Sequence, residues 1–288
     1  MVKKGIAYSL ISAVIFGIMP MMTKMLYSSG ADFVNTAFYR MALPLVLIYM
    51  INRFYFKKDM KLPKEQFKYI LIGALLFTAN NLSLFNAYNY INSGTATAIF
   101  FLNPIIIFVV QSIRYKDKPG TIDVLCILGA LIGLILCMDI GELNSIAGVL
   151  FALTSAFCFS GYSIIMGRKS IKELEPFKLL FYINFFTSIM IAIYGFVFVD
   201  GIRVDYAPLT MLALFVYAIM LSMGGTYLYQ RGIAYIGARN ASLLCTLEMV
   251  VSVLMSLLIL KEPVRRVEIF AVFLIFFCAF FLVKNSKN

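Results

Sequence analysis

What most constrains this chain is a succession of unbroken apolar runs, each about as long as a lipid bilayer is thick. A helix crossing the hydrocarbon core takes roughly 20 apolar residues. Runs of that kind occupy residues 5–26, 36–52, 69–88, 95–113, 123–139, 146–167, 178–199, 209–230, 241–260 and 267–284. Lipid offers the backbone no hydrogen-bond partner, so each run must satisfy itself as a helix or join a closed barrel. A barrel strand alternates apolar with polar residues, and these runs do not alternate. The expected fold class is all-α integral membrane, with ten transmembrane helices. A chain of 288 residues then has only short connections and no room for a soluble domain.

Composition supports this and narrows the chemistry. Hydrophobic residues make up 62% of the chain and charged residues 14%, where soluble domains carry about 45–50% and about 25%. There is no His, which removes Ser-His-Asp and Cys-His nucleophile pairs, HExxH metal sites and His proton relays. There is no Trp, so the 17 Tyr supply the aromatic belt at the membrane interfaces. Cys126, Cys137, Cys158, Cys245 and Cys278 are dispersed in apolar stretches and read as small core residues. No metal site, cofactor or catalytic residue is expected, and nothing resembles a Gly-rich loop that would cradle ATP.

The formal charge of +11 might suggest a nucleic-acid partner, but its placement points elsewhere. With the N-terminus in the cytoplasm, nineteen of the 25 Lys and Arg fall in cytoplasmic loops. Four fall outside: Arg203, Lys261, Arg265 and Arg266. Lys24 and Arg40 lie within runs. This is the positive-inside bias that orients membrane proteins, so both termini are expected in the cytoplasm of a multi-pass protein of the plasma or inner membrane. The first run follows Lys3-Lys4 as a signal peptide would, but it is too long for a typical h-region and no A-x-A-like cleavage site stands out. It reads as a retained helix.

Shifted by about 143–145 residues, the two halves resemble each other. Ala96 falls on Ala241, Lys116-Asp117 on Lys261-Glu262, and Ser12-Ala13 and Phe16 on Ser155-Ala156 and Phe159. Residues 1–140 and 141–288 would each hold five spans. An odd count makes the second copy enter the membrane from the opposite side, and it places Lys261, Arg265 and Arg266 outside by symmetry. Inverted repeats of this kind build secondary transporters, with the solute site near the midplane between them.

Several stretches carry a family resemblance: Phe16-Gly17 through Lys24, Asn80-Asn81 with Ala87, Leu102-Asn103-Pro104, Leu247-Glu248-Met249-Val250 and Leu260-Lys261-Glu262. Together they resemble the EamA branch of the drug/metabolite transporter superfamily over nearly the whole chain. The family often has Pro where Met249 stands and Trp before Gly17. The resemblance implies ten helices in two EamA repeats and a central cavity lined by the first, third, fourth, sixth, eighth and ninth. It also implies amino acids, related metabolites or drug-like amphiphiles as solutes, moved mostly outward.

Polar residues inside the runs are the candidate transport residues. Glu248 lies about eight residues into the ninth run, roughly 12 Å deep at 1.5 Å per residue. It is the only carboxylate well within a run, and it is either the proton-coupling group or a hydrogen-bonded structural residue. Asn80, Asn81 and Asn103 are mid-run, with Tyr162, Tyr227 and Gln230 as counterparts in the second half. Each would either line the solute path or join helices at about 0.6 kcal/mol per contact. Gly17 shares a helical face with Ala13, Pro20 and Lys24, which either packs closely or leaves room for solute. Lys24 and Arg40 read as outer-interface charges able to snorkel, or else as attractors of an anionic group. Gly129 and Gly133 form a GxxxG consistent with tight packing or a homodimer seam, and Pro20, Pro44 and Pro104 are expected bends.

The expected function is a secondary transporter of small organic metabolites working by alternating access, with solute and bilayer as its partners. A membrane-embedded enzyme acting on a lipid-linked group is the alternative, and it would need a cluster of catalytic side chains that the sequence does not display. A channel or scaffold is a third reading.

Overall fold

The computed structural model describes residues 2–57, 59–91, 93–115, 120–137 and 145–255, together with 258, 259, 267, 270, 271, 273, 274, 277, 278 and 281. Among the described residues every regular element is helical. The helices run in order α1 (Val2–Ser28), α2 (Phe33–Tyr55), α3 (Lys64–Ala87), α4 (Thr95–Arg114), α5 (Thr121–Cys137), α6 (Ile146–Met166), α7 (Pro176–Phe198) and α8 (Pro208–Ser252). All but α5, which has 17 residues, are long and apolar enough to cross a membrane, which makes seven such helices among the described residues.

Helix α8 covers 45 residues, about 67 Å if it were straight and twice the hydrocarbon thickness. It is not straight. At Gly237 the backbone takes φ 82° and ψ 161°, a conformation essentially confined to glycine. This break separates two limbs, one on each side of the gap between the runs at 209–230 and 241–260. The run at 267–284 falls largely outside the described residues, as do Lys261, Glu262, Arg265 and Arg266.

The three prolines act alike. Helix α1 is interrupted at Ile18 and resumes as Met19–Ser28, with Pro20 in its first turn. Helix α2 resumes at Pro44 after Leu43, and α4 resumes at Asn103, with Pro104 second. Proline has no N–H to give and a φ already helical, so it fits the first turn of a segment and breaks its interior.

The two most extensive helix contacts join α3 to α6 and α1 to the Tyr227–Cys245 part of α8. Both pair a helix of residues 1–140 with one of residues 141–288, so the interior of the bundle is an interface between the halves. Polar side chains stitch it. Ser12 Oγ donates to Gly225 O at 2.8 Å, and the hydroxyls of Thr23 and Tyr217 share a hydrogen bond at 2.8 Å. Ser222 Oγ donates to Arg40 O at 2.8 Å. In α5, a Cβ at Gly129 would stand 2.6 Å from Cys278 Sγ, so this half of the GxxxG serves packing within the chain.

Candidate functional site

The interface between the halves holds an intramembrane cation. Arg40 is 4% exposed, and its Nη1 donates to Asn81 Oδ1 at 2.8 Å. Asn81 is oriented in turn by its own amide, which donates to Phe77 O at 2.6 Å. The rings of Phe16, Phe77 and Phe85 have centroids 5.8–5.9 Å from the guanidinium carbon, within range of cation–π attraction. The Nε of Arg40 has no hydrogen-bond partner. A sequence reading that sends Arg40 to the outer interface is therefore corrected here. Asn81, Met19 and an aromatic shell hold the side chain inward, and water does not reach it.

Glu248 is also 4% exposed and is the only carboxylate among the described residues whose charge acts on Arg40. The two do not form an ion pair within 4.0 Å. They stand inside the bundle as a buried guanidinium and a buried carboxyl that are not bonded to one another. Bringing charge into a low-dielectric interior is costly unless it is compensated, which makes two such groups in one bundle interior the feature that a function has to explain.

Beside this pair lies a second polar cluster built on α6 and α8. Gln230 Nε2 donates to the Tyr162 hydroxyl at 2.8 Å, and Ser163 bonds the Tyr229 hydroxyl at 2.9 Å. The Oε1 of Gln230 has no partner. Tyr162 stacks on Phe77 with centroids 4.6 Å apart, which ties this cluster to the shell around Arg40.

The remaining sequence candidates divide. Asn80 accepts a hydrogen bond from Ser155 Oγ at 2.9 Å across α3 and α6. Asn103 Nδ2 caps back onto Phe100 O at 2.8 Å, while Ser160 Oγ reaches Asn103 O at 3.1 Å. Both make helix contacts next to the centre. Gly17 is where α1 meets Glu248: a Cβ there would lie 2.7 Å from Glu248 O and 2.5 Å from Val251 Cβ. Its small size serves close approach. Tyr227 is not part of the cluster, since its ring lies 4.7 Å from that of Phe177 at the start of α7. Lys24 is partly exposed. Sequence reasoning did not single out Tyr217, Tyr229 or Thr23, because a hydroxyl in an apolar run looks the same whether it faces lipid or a neighbouring helix. Among the described residues no group of three or more Cys, Asp and Glu could hold a metal ion.

Comparison with known proteins agrees with this architecture. The EamA-like transporter family matches residues 3–138 and again 146–284. An uncharacterized transporter of Clostridium kluyveri is 25% identical over 95% of this chain and 91% of its own. The uncharacterized transporter YyaM of Bacillus subtilis is 24% identical, covering 82% of this chain and 78% of its own. An uncharacterized inner membrane transporter of Salmonella typhimurium, YicL, is 28% identical over 59% of this chain and 57% of its own. A crystal structure superposes with a TM-score of 0.77 at 16% identity over 99% of both chains, a likeness of fold. These relatives are named as transporters, not enzymes, and the chain is a multi-pass membrane protein that belongs to the EamA-like transporter family.

Proposed function

We propose that the protein is a secondary transporter of small organic metabolites, working by alternating access about the Arg40–Glu248 centre. The two stretches that match the family form inverted five-helix repeats, giving ten spans with both termini cytoplasmic in the plasma or inner membrane. The observation that carries this reading is the guanidinium of Arg40 and the carboxyl of Glu248, both buried between the halves and not bonded to each other. A fixed structural pair gains most by closing its ion pair, whereas a pair held open leaves each charge able to exchange partners during a cycle.

In this cycle Glu248 takes up and releases the coupling proton, and the solute's polar groups meet Asn81, Arg40 Nε and the Gln230–Tyr162 pair. The direction is export, in line with the commoner behaviour of the family. Purified protein in liposomes tests the reading: flux of a metabolite panel should saturate and should accelerate when a proton gradient is imposed. Flux that is linear in concentration points to a channel, and no flux for any solute points to a scaffold.

A further inference from the structure

A second site lies away from this centre, at the end of the bundle where α3 begins and α4 and α6 end. A recess of about 510 Å3 opens there, and Arg114, Arg168 and Lys169 share its wall with one carboxylate, Glu173. Among the described residues Glu173 forms no ion pair within 4.0 Å with any of these three cations. The positive-inside bias accounts for basic loops at this end. It does not account for three cations converging on one concavity with Glu173, the only carboxylate among its described lining residues, unbonded.

The recess is also ordered. The guanidinium carbon of Arg168 sits 4.2 Å from the centroid of the Tyr69 ring, so the ring takes one flat face and the N–H edges stay available. Such a planar fork matches the oxygens of a phosphate. Gln66 Nε2 donates to Ser170 O at 2.9 Å and pins the turn that carries Arg168 and Lys169. The Gln111 side chain adds a polar group to the wall.

Beside the recess α4 presents exposed apolar side chains. Arg114 follows Val110 by one helical turn, and Val110 and Ile113 are 40% and 73% exposed on α4. The apolar stripe therefore ends directly below a cation, as it would for a molecule with an anionic head and an acyl tail. We propose that the recess is a phosphate site, and that its occupant is the headgroup phosphodiester of an anionic phospholipid whose chains lie along Val110 and Ile113. Basic pockets between membrane helices take such headgroups.

Thermal unfolding of the purified full chain in detergent tests this, read with a thiol-reactive dye because the chain has no Trp. The probes are dioctanoyl phosphatidylglycerol, dioctanoyl phosphatidylcholine and inorganic phosphate. Phosphatidylglycerol should raise the melting midpoint saturably, with phosphatidylcholine and phosphate having much smaller effects. The double variant R114Q/R168Q should need at least ten-fold more phosphatidylglycerol for half of the shift. K169Q, altered only on the exposed rim, provides the same comparison if the double variant folds poorly, with a smaller but measurable weakening. Equal shifts from phosphatidylglycerol and phosphatidylcholine overturn the site, as does a shift that both variants retain unchanged. A shift from inorganic phosphate equal to that from phosphatidylglycerol overturns the lipid as occupant.

Discussion

Arg40 on α2 and Asn81 on α3 are joined by a 2.8 Å hydrogen bond that keeps a guanidinium inside the bundle. A hydrogen bond to a charged group contributes about 1.5–3 kcal/mol, and losing one partner leaves a buried charge uncompensated. Arg40→Gln and Asn81→Ala should each lower the melting midpoint of the detergent-solubilised protein. Because both remove the same bond, the double variant should lose clearly less than the sum of the two. Additive losses would mean that the bond carries no stability.

The apolar runs were legible because a bilayer demands them, and their approximate bounds recur in α1 to α7. Arg40 was not. It lies seven residues past the start of α2, a position from which a long side chain reaches either the interface or the bundle interior, and that choice belongs to Asn81, Phe16, Phe77 and Phe85 on other helices. Glu248 was legible for the opposite reason: a lone carboxylate deep in an apolar run is anomalous wherever its partners lie. The packing role of Gly17 was half visible. A small residue on a helix face signals proximity, but only the arrival of Val251 and Glu248 O settles whether the space is filled.

Filling that space should be costly. Gly17→Ala places a methyl 2.7 Å from a backbone oxygen and 2.5 Å from Val251 Cβ, so α1 and the helix bearing Glu248 must separate. Overpacking of this kind costs about 1–3 kcal/mol. The expected outcome is a lower melting midpoint together with weakened transport, because the displaced backbone carries Glu248. A variant as stable and as active as the parent would contradict the packing described here.

The break in α8 depends on Gly237, where φ is 82° and ψ is 161°. No neighbouring atom lies within 4 Å of a Cβ built there, so Gly237→Ala tests backbone strain without a packing clash. The expected loss is about 1–3 kcal/mol, seen as a lower thermal midpoint. An unchanged midpoint would mean that the break tolerates an ordinary residue.

Outside the membrane-spanning segments, Arg203 Nε donates to Asp205 Oδ1 at 2.7 Å, and this bond holds the Asp205 carboxyl below its ordinary range. A carboxyl lowered in the fold adds stability above its unfolded pKa and loses it as pH falls through the lowered value. Both side chains are exposed, so solvent screens the pair. Asp205→Asn should therefore lower the melting midpoint at pH 7 only marginally, and any difference should vanish in acid solution, where the carboxyl of the parent is protonated. A marked fall at pH 7 would show that this loop bears on the fold in a way its exposure does not indicate.

The charge facing Arg40 is the part of the proposed cycle most open to direct measurement. Solute flux into liposomes can be followed for the parent and for Glu248→Gln, once with an imposed proton gradient and once as exchange of labelled for unlabelled solute without one. If Glu248 carries the coupling proton, the variant loses gradient-driven accumulation and keeps exchange. Accumulation in the variant at the parent's rate would contradict that role.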